Sequence, residues 1–457
     1  MKQRTLIICV AASVLLTEGS RWLPSPLFAQ ASSPGVYSTK TPYHPQARPS
    51  DYQPPPPGYT PVFTQMLARH GARALTSATD IDNVKQLLNL AAAAGALSPA
   101  GKQLLQQVES LERANESVGY GNLSGLGKLE HQQLAARLLQ RLPALFQQAA
   151  KSGRHIRIVT SGKGRAVDSA RNFTASLGSH DPALTPLIDP PAVDTTLLYF
   201  FDLNKAYQDW EAHDPTLQAK LKQIEYSDRS HREARAMLQP LVNAAFFAKL
   251  AAGQLPFKDP KTGNPVTRNE VDLAESLDNL YQAAPGLSQE GTWQFTRFVP
   301  AAAAEWFAYV SDAEEFYEKG PSFAGSTITF SMAQVLQDDF FHVAEANCSP
   351  SAPLAADFRF AHAETIMPFA ALMQFPGSDR PVPATSTYTW QNNPWRGAEV
   401  SPYAANIQWN SYSNGHGCLI TVLYNEKQTR FKAGCHSISP QSRYYDLAEL
   451  KRCYGYR

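Results

Sequence analysis

Hydrophobic and polar positions alternate between two regimes along the chain. Residues 61–67, Pro-Val-Phe-Thr-Gln-Met-Leu, form a short apolar run bounded by Pro on one side and a polar loop on the other, the pattern of a buried strand. Helical spacing follows over 80–114 and 127–151. In the second stretch Leu134, Leu138, Leu142 and Leu145 recur on one face, and Gly153 stands past its end. Residues 155–160, His-Ile-Arg-Ile-Val-Thr, predict a second strand, and 167–177 a further helix. From about 180 to 345 the chain changes character, with Ala-rich, charged and aromatic segments at 215–252, 269–284 and 300–319 and few strand signals. Strand character returns at 357–361, a helix is predicted from about Glu364, and 419–424 with 428–431 predict a hairpin through Asn425, Glu426 and Lys427. Strands separated by helices, then a helical block, then strands again imply an α/β sheet domain over 59–180 and 346–457, with a mainly helical cap inserted at 181–345.

The ends of the chain add a compartment. Lys2 and Arg4 precede an apolar run over 6–16 that is broken by Thr17-Glu18-Gly19-Ser20-Arg21, and Ala29-Gln30-Ala31 offers a small-x-small cleavage pattern. The run is too short to span a bilayer, so 1–31 reads as a secretory signal and the protein as secreted or periplasmic. Residues 32–58, with Pro54 to Pro57, read as a Pro-rich extended lead. Cys9 would leave with the signal, and Cys348, Cys418, Cys435 and Cys453 remain, an even number that favours two disulfides in an exported chain. Of the three pairings, Cys435 with Cys453 and Cys348 with Cys418 is preferred because the first closes a short loop; the other two stay open.

Charge narrows the partners. The 457 residues carry 41 Lys and Arg against 40 Asp and Glu, a net charge of +1, and loss of 1–31 takes it to −1. No whole-surface attraction to nucleic acid or membrane follows. Local charge is another matter. The first strand runs into Arg69-His70-Gly71-Ala72-Arg73, with no acidic residue between Tyr52 and Thr79. Two arginines around a His, with a Gly that lets the backbone turn tightly, suit a tetrahedral oxyanion. The second strand ends in Ser161-Gly162-Lys163-Gly164-Arg165, again without an acid until Asp168, and the third in His362-Ala363-Glu364. Taken singly, each motif reads equally as a basic turn or a chance pairing. Together they supply a nucleophile, a cationic cradle and an acid, the parts of a phosphate-ester hydrolase.

These residues resemble the histidine acid phosphatases, and among them the multiple inositol polyphosphate phosphatase or phytase type. The family pattern Arg-His-Gly-x-Arg-x-Pro is met at Arg69, His70, Gly71 and Arg73, with Leu75 where Pro is usual. Residues 160–165 with Asp168-Ser169-Ala170 resemble its second motif, and His362-Ala363-Glu364 its proton-donor tripeptide. The resemblance covers roughly 60–180 and 355–457 and is thin through the helical insert. It implies a phosphoglycerate-mutase-like sheet domain with a helical cap, and an exported phosphomonoesterase acting on inositol polyphosphates without metal or cofactor. It further implies His70 as a nucleophile forming phosphohistidine and Arg69, Arg73, Arg165 and His362 as ligands of the phosphate oxygens. Glu364 would be the proton donor, and Lys163 would grip a second substrate phosphate.

Alternatives are a broad acid phosphatase for sugar or nucleotide esters and a secreted phosphate-ester binder without turnover. The rival pairs His180-Asp181 and His213-Asp214 are each followed by Pro and are assigned to loops. His342 and His416 read as ordinary histidines, and Trp306 with Tyr309 as helix packing. Asn115, Asn122, Asn172 and Asn347 stand in Asn-x-Ser/Thr patterns open to glycosylation if the source cell supplies it.

Overall fold

The computed structural model describes residues 36–456, so the leader read at 1–31, with Cys9, lies outside the described residues. Ten strands occur among them. They are β1 (Thr60–Arg69), β2 (His155–Thr160), β3 (Ala192–Val193), β4 (Phe257–Lys258), β5 (Pro265–Val266), β6 (Leu354–Ala361), β7 (Asn406–Ser413), β8 (Cys418–Tyr424), β9 (Lys427–Thr429) and β10 (Tyr445–Asp446). Eight of these make one sheet in the order β10-β8-β7-β1-β6-β2-β3, with β9 on β8, while β4 and β5 pair by themselves. The half β1-β6-β2-β3 is parallel, and β7, β8 and β10 add antiparallel neighbours. This is the α/β class expected, with one central strand unforeseen: β7 is rich in Asn, Gln and Ser.

Alternation along β1 fixes what covers each face. Met66 and Ala68 enter an apolar cluster with Leu134, Leu138, Phe146, Ile158, Phe173 and Phe358. Leu67 points the other way, into a cluster with Ile407, Trp409, Phe340, Phe369 and the C-terminal region. A third cluster is mainly helical and joins helices Thr79–Ala93 and Pro99–Val118 to the helices Asp228–Leu238, Glu270–Ala283 and Ala301–Lys319. The helix expected over 80–114 is thus two helices, interrupted at Gly95, whose φ of +65° is left-handed, and restarted at Ser98, whose side chain accepts from Gly101 N. The one expected over 127–151 is likewise broken, at Leu142 before Pro143.

Disulfides join Cys348 to Cys418 and Cys435 to Cys453, the preferred pairing. Two of the glycosylation patterns fall on buried side chains. Asn115 is fully buried, its Oδ1 accepting from Leu75 N at 2.7 Å and its Nδ2 donating to Leu111 O at 2.8 Å. Asn347 donates in the same way to Val343 O. Neither can carry a glycan in this fold.

Candidate active site

Sheet register gathers the three motifs. Arg69 pairs with Ala361 across β1 and β6, and Thr160 with Phe360 across β2 and β6, so three neighbouring parallel strands end at one level. The backbone continues the ladder one step further: His70 N donates to Ala361 O at 2.9 Å and Ser161 N to Phe360 O at 3.1 Å. His70, Ser161 and His362 therefore stand side by side at the carboxyl edge of the sheet, where open α/β sheets hold their ligands. Lys163 and His362 are also the residues immediately before helices Gly164–His180 and Ala363–Leu372, whose amino ends add positive potential.

The imidazole of His70 is 3% exposed and lies 5.5 Å, ring centre to ring centre, from that of His362. Its Nδ1 is 2.9 Å from Gly71 O. A carbonyl oxygen only accepts, so Nδ1 carries the proton and Nε2 keeps the ring's lone pair. Burial first, then the charges of Arg69, His362, Arg73 and Arg165, hold His70 well below the usual histidine range. His362 is held low in the same way, by burial and then by Arg165, Arg69, Lys163 and Arg73. Both imidazoles are therefore biased toward their neutral forms.

Arg69 is 4% exposed, and its Nη1 donates to the carbonyl oxygens of Thr39, at 2.6 Å, and of Ser401. Its guanidinium also lies 5.0 Å from the ring centre of Tyr403. Arg73 donates only to Ala74 O, at 2.9 Å. Among the described residues none of Arg69, Arg73 and Arg165 forms an ion pair with a carboxylate, and the Nε of all three is buried without a partner, as is His362 Nδ1. Four unused donors around one histidine make a receptor for a dianionic tetrahedral group. Glu364 is half-buried and acts electrostatically on Arg69 and Arg165, which puts its carboxyl on the rim of the same pocket. Lys163 is exposed on the other rim, its Nζ 4.5 Å from the ring centre of Tyr199.

Several supporting groups carried no role in the sequence reading. Ser161 Oγ is 2.7 Å from His362 Nε2 and orients that ring. Ser169 Oγ accepts from Gly71 N at 3.2 Å and donates to Arg165 O at 2.8 Å, tying the first motif to the second. Glu130 accepts from Ala72 N at 2.6 Å and Tyr43 N at 2.9 Å; it is pushed up to about 7 by burial, against the pull of those two N–H groups. Through Glu130 and the Thr39 carbonyl, residues 38–43 form a strap over the first motif. Ser161 and Ser169 lie inside the quoted motifs; Glu130 and the strap left no signal. Gly71 is required because a Cβ there would collide with the backbone of Gly127. The rivals His180 and His213 are exposed, and His213 pairs only with Asp209.

The family model for the histidine phosphatase superfamily (branch 2) matches residues 62–432. The chain is 26% identical over 392 residues to the human protein named Multiple inositol polyphosphate phosphatase 1, covering 80% of this chain and 74% of that one. It is 32% identical to the Bifidobacterium longum multiple inositol polyphosphate phosphatase solved in complex with inositol hexasulfate, with a TM-score of 0.86, covering 92% of this chain and 97% of that one. A phytase from D. castellii shares the fold, with a TM-score of 0.66 at 14% identity over 92% of this chain and 84% of that one.

Proposed function

The chain belongs to the histidine phosphatase superfamily, branch 2, in its multiple inositol polyphosphate phosphatase type, and from that premise we propose that it hydrolyses inositol polyphosphates such as phytate through a phosphohistidine on His70. The observation that carries the reading is the His70 tautomer: Nδ1 is spent on Gly71 O, so Nε2 is left to attack phosphorus amid four donors that have no protein partner.

In the first half-reaction Nε2 forms a bond to phosphorus as the bond to the inositol oxygen breaks. Arg69, Arg73, Arg165 and His362 hold the non-bridging oxygens, where charge is best stabilised by donors fixed in advance. Glu364 gives its proton to the departing alkoxide. In the second half-reaction the Glu364 carboxylate takes a proton from water, which attacks phosphorus and releases phosphate and free His70. Lys163, on the rim, meets a second phosphate of the substrate. The mechanism we propose uses no metal. Export is part of the same reading, supported by the two disulfides, which persist in oxidising compartments.

The test is a rapid alkaline quench, in which the P–N bond survives, of the protein turning over phosphorus-labelled phytate in the presence of a chelator. Label should appear on the wild-type chain and vanish in H70A, with phosphate release down by on the order of 10⁴-fold or more. Undiminished release by H70A would overturn the assignment.

A further inference from the structure

Away from the sheet edge, three helices of the insert, Pro215–Glu225, Glu270–Ala283 and Ala301–Lys319, enclose a cavity of about 190 Å³. Four carboxyl groups line it: Glu225, Glu275, Asp278 and Glu314. Much of the remaining wall is hydrocarbon, from Leu221, Ile224 and Phe307. No Lys or Arg is among the lining residues. Two lysines stand near it: Lys40 Nζ donates to the amide oxygens of Asn279 and Gln282 and attracts Asp278 and Glu314 through space, and Lys319 pairs with Glu315 and Glu318 and attracts Glu314, but neither donates to Asp278 Oδ1 or Glu275 Oε1.

One lining group is unfinished. Asp278 is 2% exposed; its Oδ2 accepts from Gln282 Nε2 at 2.5 Å, and its Oδ1 has no partner. Glu275 Oε1 is buried and unpartnered beside it. Burial, then repulsion from Glu225 and Glu314, pushes Glu275 up to about 10, and burial pushes Asp278 up to about 7. Two buried carboxyl oxygens without a donor at the wall of a void, Asp278 Oδ1 and Glu275 Oε1, are short of N–H groups. A bare metal ion does not match: the void has room for several waters at about 30 Å³ each, its walls are half apolar, and no group of three or more His, Cys, Asp or Glu among the described residues is arranged to hold a metal.

We propose that this cavity binds a compact organic diammonium, the carboxylates of Asp278, Glu275, Glu225 and Glu314 receiving its N–H groups while Leu221, Ile224 and Phe307 cover its methylenes. The site shares no lining residue with the phosphate pocket and does not depend on the activity proposed above.

Calorimetric titration of the full chain with 1,4-diaminobutane at pH 8 tests it, with 1,4-butanediol as the uncharged control. The expected result is saturable one-to-one binding with a Kd below about 1 mM, no binding of the diol, and at least tenfold weaker binding by D278N. V310F, which fills the void while keeping every carboxyl, should lose the diamine while keeping the wild-type melting temperature to within a few degrees. Absence of saturable heat, equal affinity in a natively melting D278N, or displacement of the diamine by millimolar Ca²⁺ or Mg²⁺ would each overturn the assignment.

Discussion

Two arginines on adjacent strands meet opposite fates. Arg359 on β6 lies opposite Leu67 of β1, two residues before the level at which Arg69 leaves the sheet. Arg359 is fully buried, its Nε donating to Asp339 at 2.7 Å and its Nη2 lying 2.6 Å from Asp357, which also pairs with Arg157. That cluster is balanced in charge, each guanidinium in ion-pair contact with a carboxylate, as burial demands. Arg69 is almost as deeply buried yet touches only carbonyl oxygens and an aromatic ring, and Arg73 and Arg165 are equally without carboxylates. These cations are gathered at one edge of the sheet without a carboxylate in ion-pair contact, which suits an anion from outside the chain and distinguishes a candidate site from a scaffold.

The contrast predicts opposite responses to truncation. R165A should lower kcat/KM for phytate on the order of 10³-fold, as loss of a preorganised donor does, while leaving the melting temperature near that of the wild type. R359M should do the reverse, costing about 3–5 kcal/mol of stability by stranding buried carboxylates while activity per folded molecule is retained. Urea melts and initial rates on both variants decide, and equal loss of activity in the two would erase the distinction.

A smaller effect sharpens the assignment within the site. E364A should lower turnover on phytate by about 10²-fold but scarcely touch an aryl phosphate, whose leaving group needs no proton. Equal loss on both substrates would remove Glu364 from the proton-transfer role. Smallest is a pH effect. His362 titrates well below its unfolded value of about 6.5, so on acidification the unfolded chain takes up a proton that the folded one refuses, and stability falls as pH drops through 6.5. Glu130, raised to about 7, has the opposite sign and gains stability as pH falls toward its unfolded value. Urea midpoints between pH 6.5 and 5 should therefore show H362Q losing less stability than wild type, by up to about 1.4 kcal/mol per pH unit. Parallel slopes would mean that His362 is not held neutral.

Much of this was legible before any coordinates. The strands bearing the three motifs alternate or are continuously apolar, and the motifs interrupt those runs abruptly. Central β7 was not legible, because Asn406, Gln408, Asn410 and Ser411 leave no apolar run or alternation to mark a strand. They are buried and joined to neighbours: Gln408 Nε2 donates to Thr64 Oγ1 and Asn410 Oδ1, and Asn406 Nδ2 to the Tyr43 hydroxyl, while Asn406 Oδ1 and Ser411 Oγ have no partner. Periodicity detects apolar burial and is blind to a hydrogen-bonded polar interior. For the same reason Glu426 passed unremarked in a predicted turn. It is fully buried with φ +62°, held by Arg137, Arg141 and the Tyr43 hydroxyl. The strap was missed because its grip on Arg69 is a main-chain carbonyl, which any residue could offer.

β1 is the first of the described strands in chain order, yet it is sandwiched between β6 and β7, and Arg69 N is held by Ala405 O. A ribosome that has delivered His70 and all three arginines must still translate 240 further codons, from Arg165 to Ala405, before that clamp can form. The nascent polypeptide thus carries its reactive groups in an unassembled state for most of its elongation, and competence arrives late and all at once.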